Sequence, residues 1–154
     1  CLPAVIPGII SAIALRIFAE TISLSPGTFA IILSHTIHNV PFVVLVVIAR
    51  LNSQPDSHID AAKDLGADNL IAFCRVTLPY LKPALVGASI FCMLISFDDF
   101  VRSFFLGGYE PTLPVYIFSQ LRTGMSPMIN AISAAALLIT VIFGLMAERI
   151  IRSN

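Results

Sequence analysis

Apolar residues fall into four long blocks along the chain, at about 2–18, 28–49, 83–106 and 130–147. Each block approaches the roughly 20 residues that a membrane-spanning helix needs. The polar stretches between them differ in kind. Residues 21–27 form a short turn built on Ser25-Pro26-Gly27. Residues 107–128 read as a polar loop punctuated by Gly107, Gly108, Pro111, Pro114, Gly124 and Pro127. The stretch 50–82 is longer, charged and helix-like. Within it Ile59, Ala62 and Leu65 or Gly66 recur three to four residues apart, so one helical face is apolar. Asp56 or Ser57 can cap this helix, and Gly66 suits its end, where a residue without Cβ turns easily. A second short helix is expected from a cap at Asp68 or Asn69 to about residue 77, with Pro79 breaking it before the third block. The pattern predicts two short helices set at an angle on the membrane surface.

Composition sharpens the class. Of 154 residues, 57% are hydrophobic and 12% charged, and mean hydropathy is +0.92. A soluble domain carries about 25% charged residues. A sphere of this size cannot hide so much apolar surface, so the chain needs an apolar solvent. A soluble enzyme, a disordered segment, a coiled coil and a nucleic-acid binder are excluded. Nine basic side chains balance nine acidic ones, so no basic field exists to attract DNA. Cys1, Cys74 and Cys92 show no CxxC spacing, which fits neither a disulfide framework nor a zinc site. The chain opens at Cys1 with no basic stretch ahead of its apolar block, so this is not a signal peptide and is read as the C-terminal part of a longer chain.

Orientation follows from Lys and Arg. Arg50, Lys63, Arg75, Lys82, Arg149 and Arg152 flank one side, and Arg16, Arg102 and Arg122 lie toward the other. The 50–82 connection and the C-terminus are therefore expected in the cytoplasm.

The 56–79 stretch carries a specific pattern. Asp60-Ala61-Ala62, three residues, Gly66, nine residues, then Val76-x-Leu78-Pro79 resembles the EAA loop of ABC importer permeases, with Asp60 for Glu and Val76 for Ile. Further segments resemble the polyamine (spermidine/putrescine) permeases within that family. They include Leu2-Pro3 with Ile6-Pro7, Ser34-His35-Thr36, Pro41-Phe42-Val43-Val44 and Ala49-Arg50-Leu51. Ser96-Phe97-Asp98-Asp99-Phe100, Leu113-Pro114-Val115, Ile117-Phe118-Ser119, and Ser126-Pro127 with Asn130-Ala131 continue the pattern.

The resemblance implies an all-α, polytopic transmembrane helical bundle of the MetI-like fold, as one domain over 1–154, with two further spans upstream. It implies a bacterial inner-membrane permease, not an enzyme. It further implies partner ABC ATPase subunits, a second permease, an extracytoplasmic solute-binding protein and the lipid bilayer. Asp60, Ala61, Ala62, Gly66, Val76, Leu78 and Pro79 would couple to the ATPase. No cofactor is expected in this chain: it has no phosphate-binding glycine loop, and ATP would be bound by the partner. Three other readings stay open. One is a permease of the same superfamily for ferric iron, sulfate, phosphate or thiamine. Another is a non-transporting assembly subunit. The third is a proton- or sodium-coupled carrier.

Asp98 and Asp99 lie about fifteen residues into the third block. A carboxylate at mid-bilayer costs at least about 2.5–3.5 kcal/mol, so it must meet water or a partner. Two readings stand. Arg102 neutralises one Asp while the interface hydrates the other, or the pair forms a cation site in the substrate path. Adjacent residues on a helix point about 100 degrees apart, so one can face the path while the other pairs with Arg102. Arg16 and Glu20 are read as an ion pair, and His35 and His38 as packed, hydrogen-bonded histidines. Pro41 and Gly87 suit kinks or close helix contacts.

Overall fold

The computed structural model describes residues 6–124 and 127–152. The opening of the first apolar block and Ser126 lie outside the described residues. Among those described, all regular structure is helical. Helix α1 covers Gly8–Thr21 and α2 covers Thr28–Asn52. The turn between them is fixed by Leu24 N–H donating to the Ala19 carbonyl at 2.8 Å, with Ser23 in the left-handed region at φ 57°. Gly27 opens α2, and its N–H donates to the Leu106 carbonyl at 2.9 Å. Helix α2 is 25 residues long, about 37 Å at 1.5 Å per residue, and runs through Pro41.

The elbow after α2 forms as the spacing predicts, with two changes of detail. Helix α3 covers Asp56–Asp64, but its cap position is Pro55, and neither Asp56 nor Ser57 makes a capping bond. Asp56 lies instead in the first turn, where its charge meets the positive end of the helix dipole. Gly66 takes φ +84°, its N–H bonds the Lys63 carbonyl at 2.8 Å, and Ala67 N–H bonds the Ala62 carbonyl at 3.0 Å. That pair of bonds is the Schellman stop, whose left-handed position most often takes glycine. Asp68 caps α4, Asn69–Ala72, by accepting from Ile71 N–H at 2.7 Å.

Pro79 does not break the chain's course. A π-helical turn over Phe73–Thr77 joins α4 to α5, Leu78–Asp98, and the helix is continuous from Asn69 to Asp98. Leu78 N–H reaches back to the Phe73 carbonyl. The wider turn takes up the misfit of Pro79, whose ring and missing N–H a regular α-helical turn would not accommodate.

The apolar segment 83–106 is divided between two helices. Helix α5 ends at Asp98, Asp99 has φ −75° and ψ 89°, and α6 runs Phe100–Leu106. The stretch read as a polar loop contains a helix, α7, over Leu113–Thr123, with Pro114 in its first turn. Helix α8 covers Pro127–Arg152.

Helix α2 packs on α5, α5 on α8, and α1 on α6, which also touches α2. Phe42 of α2 stacks on Phe91 of α5 with ring centroids 4.6 Å apart. The buried apolar core is small: Ala30, Ile31 and Leu106, with Leu15, Leu24 and Phe105 against it. Gly108 lies against the α1–α2 turn, where a Cβ would stand 3.1 Å from the Pro26 carbonyl oxygen. Among the described residues, three helical stretches are long and apolar enough to cross a membrane, Thr28–Asn52, Asn69–Asp98 and Pro127–Met146. Their apolar side chains remain largely exposed, as in Leu137 at 67% and Ile32 at 58%. A helix that is apolar on every side suits a lipid or protein surround rather than water.

Candidate functional site

The break between α5 and α6 gathers several of the buried polar groups, His35, Arg102 and Ser103 among them. Asp99 caps α6: its Oδ1 accepts from Arg102 N–H at 3.0 Å. Its Oδ2 takes the Arg102 guanidinium at 2.5 Å. Both side chains are nearly sealed, at 7% and 6% exposure. Arg102 Nη2 donates to Ser11 Oγ of α1 at 3.2 Å and to His38 Nδ1 of α2 at 2.8 Å. An arginine can only donate, so His38 Nδ1 is the acceptor here and its proton sits on Nε2. His35 Nδ1 meets Ser96 Oγ of α5 at 2.7 Å, and its Nε2 lies 3.5 Å from Ser103 Oγ and 3.8 Å from Asp99 Oδ2. One network thus ties α1, α2, α5 and α6 together. Charge neutrality within the pair is what lets it stay buried.

The two aspartates separate at this point. Asp99 is enclosed by Arg102, and Asp98 is exposed with no hydrogen bond or ion pair among the described residues. Asp98 lines a groove of about 680 Å³ between α5, α7 and α8, beside Phe97, Phe100, Phe118, Ser133 and Thr140. A second open cavity, of about 870 Å³, lies between α2 and α5. His35, Thr36, Asn39, Ser89 and Ser96 give it a polar stripe. Sequence reasoning read His35 and His38 as packed and missed Ser11, Ser96 and Ser103 as their company. The signal available was Asp99-x-x-Arg102, a capping carboxylate three residues before its cation.

At the other end, the elbow brings Ala62, Gly66 and Val76 together. Asp60, Ala61, Gly66, Leu78 and Pro79 are exposed, and Ala62 and Val76 are half-buried where α3 meets α4 and the π turn. Ala62, Gly66, Arg75 and Val76 line a shallow cleft under the elbow. Leu65 is 90% exposed at its apex. Arg16 and Glu20 pair at 2.8 Å on α1.

Long, predominantly apolar helices, with α1, α2, α5 and α6 tied through a buried polar junction, define a polytopic helical membrane protein. The chain belongs to the family of binding-protein-dependent transport system inner membrane components, whose model matches residues 1–153. These are the MetI-like permeases of ABC importers. The chain is 32% identical over 150 residues to the spermidine/putrescine transport system permease protein PotC of Haemophilus influenzae, covering 96% of this chain and 58% of that protein. It is equally similar to PotC of Escherichia coli K12, at 32% over 96% of this chain and 56% of the relative. The putrescine transport system permease protein PotI of E. coli K12 is 32% identical over 94% of this chain and 54% of its own length. The chain therefore spans just over half the length of the curated relatives it matches.

Proposed function

We propose that this chain forms part of one half of the translocation path of an ATP-driven importer for polyamines, spermidine or putrescine. The observation that carries this reading is its 32% identity, over nearly its whole length, to permeases named for those solutes. In this reading the 56–79 elbow lies in the cytoplasm and docks on a partner ATPase. Asp60, Ala61, Ala62, Gly66, Val76, Leu78 and Pro79 shape the docking surface, as a helix set into a groove. The excess of Lys and Arg at 50–82 and near the C-terminus supports that orientation. The long apolar helices cross the bilayer, a second permease completes the path, and an external binding protein delivers the solute. ATP binding closes the ATPases, the elbow moves, and the helices switch between inward- and outward-facing states.

Asp98 is the carboxylate offered to the cation, because it is exposed, without a partner among the described residues, in a groove lined by phenylalanine rings, which also attract ammonium groups. Asp99 shapes the path by holding the helix break. The test reconstitutes the full-length permease in liposomes with its ATPase, second permease and binding protein. ATP-dependent uptake of labelled spermidine is followed with putrescine, iron and sulfate as competitors. Uptake blocked only by polyamines, and lowered by Asp98→Asn, is the expected result. Transport of a competitor without polyamine uptake would discard the solute assignment.

A further inference from the structure

We infer that Arg50 and Tyr80 clamp the two ends of the cytoplasmic elbow, so that the elbow and the α2–α5 pair move as one body. The inference rests on the importer reading and adds a pair of positioning residues to it. Arg50 closes α2 and Tyr80 opens α5, 30 residues apart in sequence. The Arg50 guanidinium stands 4.0 Å above the centre of the Tyr80 ring. Its Nε donates to the Tyr80 carbonyl at 3.2 Å. The Tyr80 hydroxyl donates back to the Ser53 carbonyl, just past α2, at 3.0 Å. Beside these, Gln54 Nε2 meets Thr77 Oγ1 at 3.5 Å, and both residues are buried.

These contacts cross one seam from both sides. Planar stacking plus a directed Nε–H bond is something arginine provides and lysine does not. The seam matters because of what adjoins it. The π turn at Phe73–Thr77 is the irregular point in an otherwise continuous helix from Asn69 to Asp98. Such turns are among the places where a helix kinks. With the seam open, displacement of the elbow is absorbed there. With it closed, displacement is passed to the packed α2–α5 pair. The clamp thus selects which element moves, a physical link rather than spatial adjacency alone.

The experiment reads solute taken up per ATP hydrolysed in the same vesicles, using the reconstituted complete importer. Arg50→Met and Tyr80→Leu are expected to lower that ratio about fivefold or more, the scale of a typical coupling free energy. Tyr80→Phe keeps the ring and is expected to stay within about twofold of wild type. Arg50→Lys should fall with Arg50→Met. Uptake and hydrolysis falling in parallel, with the ratio unchanged, would overturn the clamp. A second measurement leaves Arg50 and Tyr80 in place and compares one variant before and after cross-linking. In a cysteine-free background, Gln54→Cys and Thr77→Cys are joined by a short bifunctional thiol reagent. Uptake that survives the cross-link supports a seam that stays shut, and uptake abolished by it shows that the seam must open. A wild-type complex that imports a solute other than an amine leaves the clamp testable by the same ratio. A wild-type complex with no ATP-dependent uptake of any solute defeats the importer reading instead.

Discussion

Replacing Arg102 by Met removes the cation from an ion pair sealed on both sides. The Asp99 and Arg102 side chains are 7% and 6% exposed, so water cannot take the arginine's place. Breaking a buried pair from one side costs about 3–5 kcal/mol, because the remaining charge is left uncompensated. The full stability of a domain is about 5–15 kcal/mol, so the loss is large. Asp99→Asn combined with Arg102→Met leaves no charge behind. Asparagine still caps α6 through the Arg102-position N–H, since the cap needs only a side-chain oxygen. The double variant loses only hydrogen bonds, to Ser11 and His38, worth about 1 kcal/mol each. It should therefore be more stable than Arg102→Met alone, by about 2 kcal/mol. Denaturant unfolding of the full-length permease in detergent micelles measures this, and uptake in liposomes accompanies it. Equal destabilisation of the single and double variants would refute the paired-charge reasoning. A double variant that unfolds like wild type yet takes up nothing would place the Asp99 carboxylate on the solute instead.

Two further outcomes follow from glycines. Gly66→Val forces a β-branched residue into φ +84°, at a cost of about 1–2 kcal/mol or more, and should sharply lower ATP-driven uptake. Normal uptake by this variant would show that the elbow's turn is not needed. Gly108→Val puts a Cβ 3.1 Å from the Pro26 carbonyl oxygen and should destabilise the full-length permease by about 1–3 kcal/mol, read from its unfolding midpoint.

Much of the architecture was legible because apolar block length and turn residues are direct physical signals. Asp68 and Gly66 announced the elbow through cap chemistry that depends on single side chains. The break at Asp99 was missed although Asp99-x-x-Arg102 signals it, since the same spacing also fits an ion pair along one unbroken helix. Pro79 misled for a related reason. Its cost depends on the width of the preceding turn, and no residue in Phe73–Thr77 signals a π turn. Helix α7 was masked by the flanking glycines and prolines, although Leu113, Ile117 and Leu121 recur at helical spacing. Which aspartate stays free depended on where α1 and α2 place Ser11 and His38, a matter of tertiary packing.

The Asp99–Arg102 junction also constrains how the chain is made. Ser11 and His38 are synthesised 91 and 64 residues before the arginine that binds them. The early hairpin therefore enters the bilayer with hydroxyl and imidazole acceptors that have no donor yet. The two charges arrive afterwards, three residues apart, and cross as a neutral unit rather than as separate ions. Insertion of this pair thus costs less than that of two separate ions, and the helices lock together only when the later segment reaches the first.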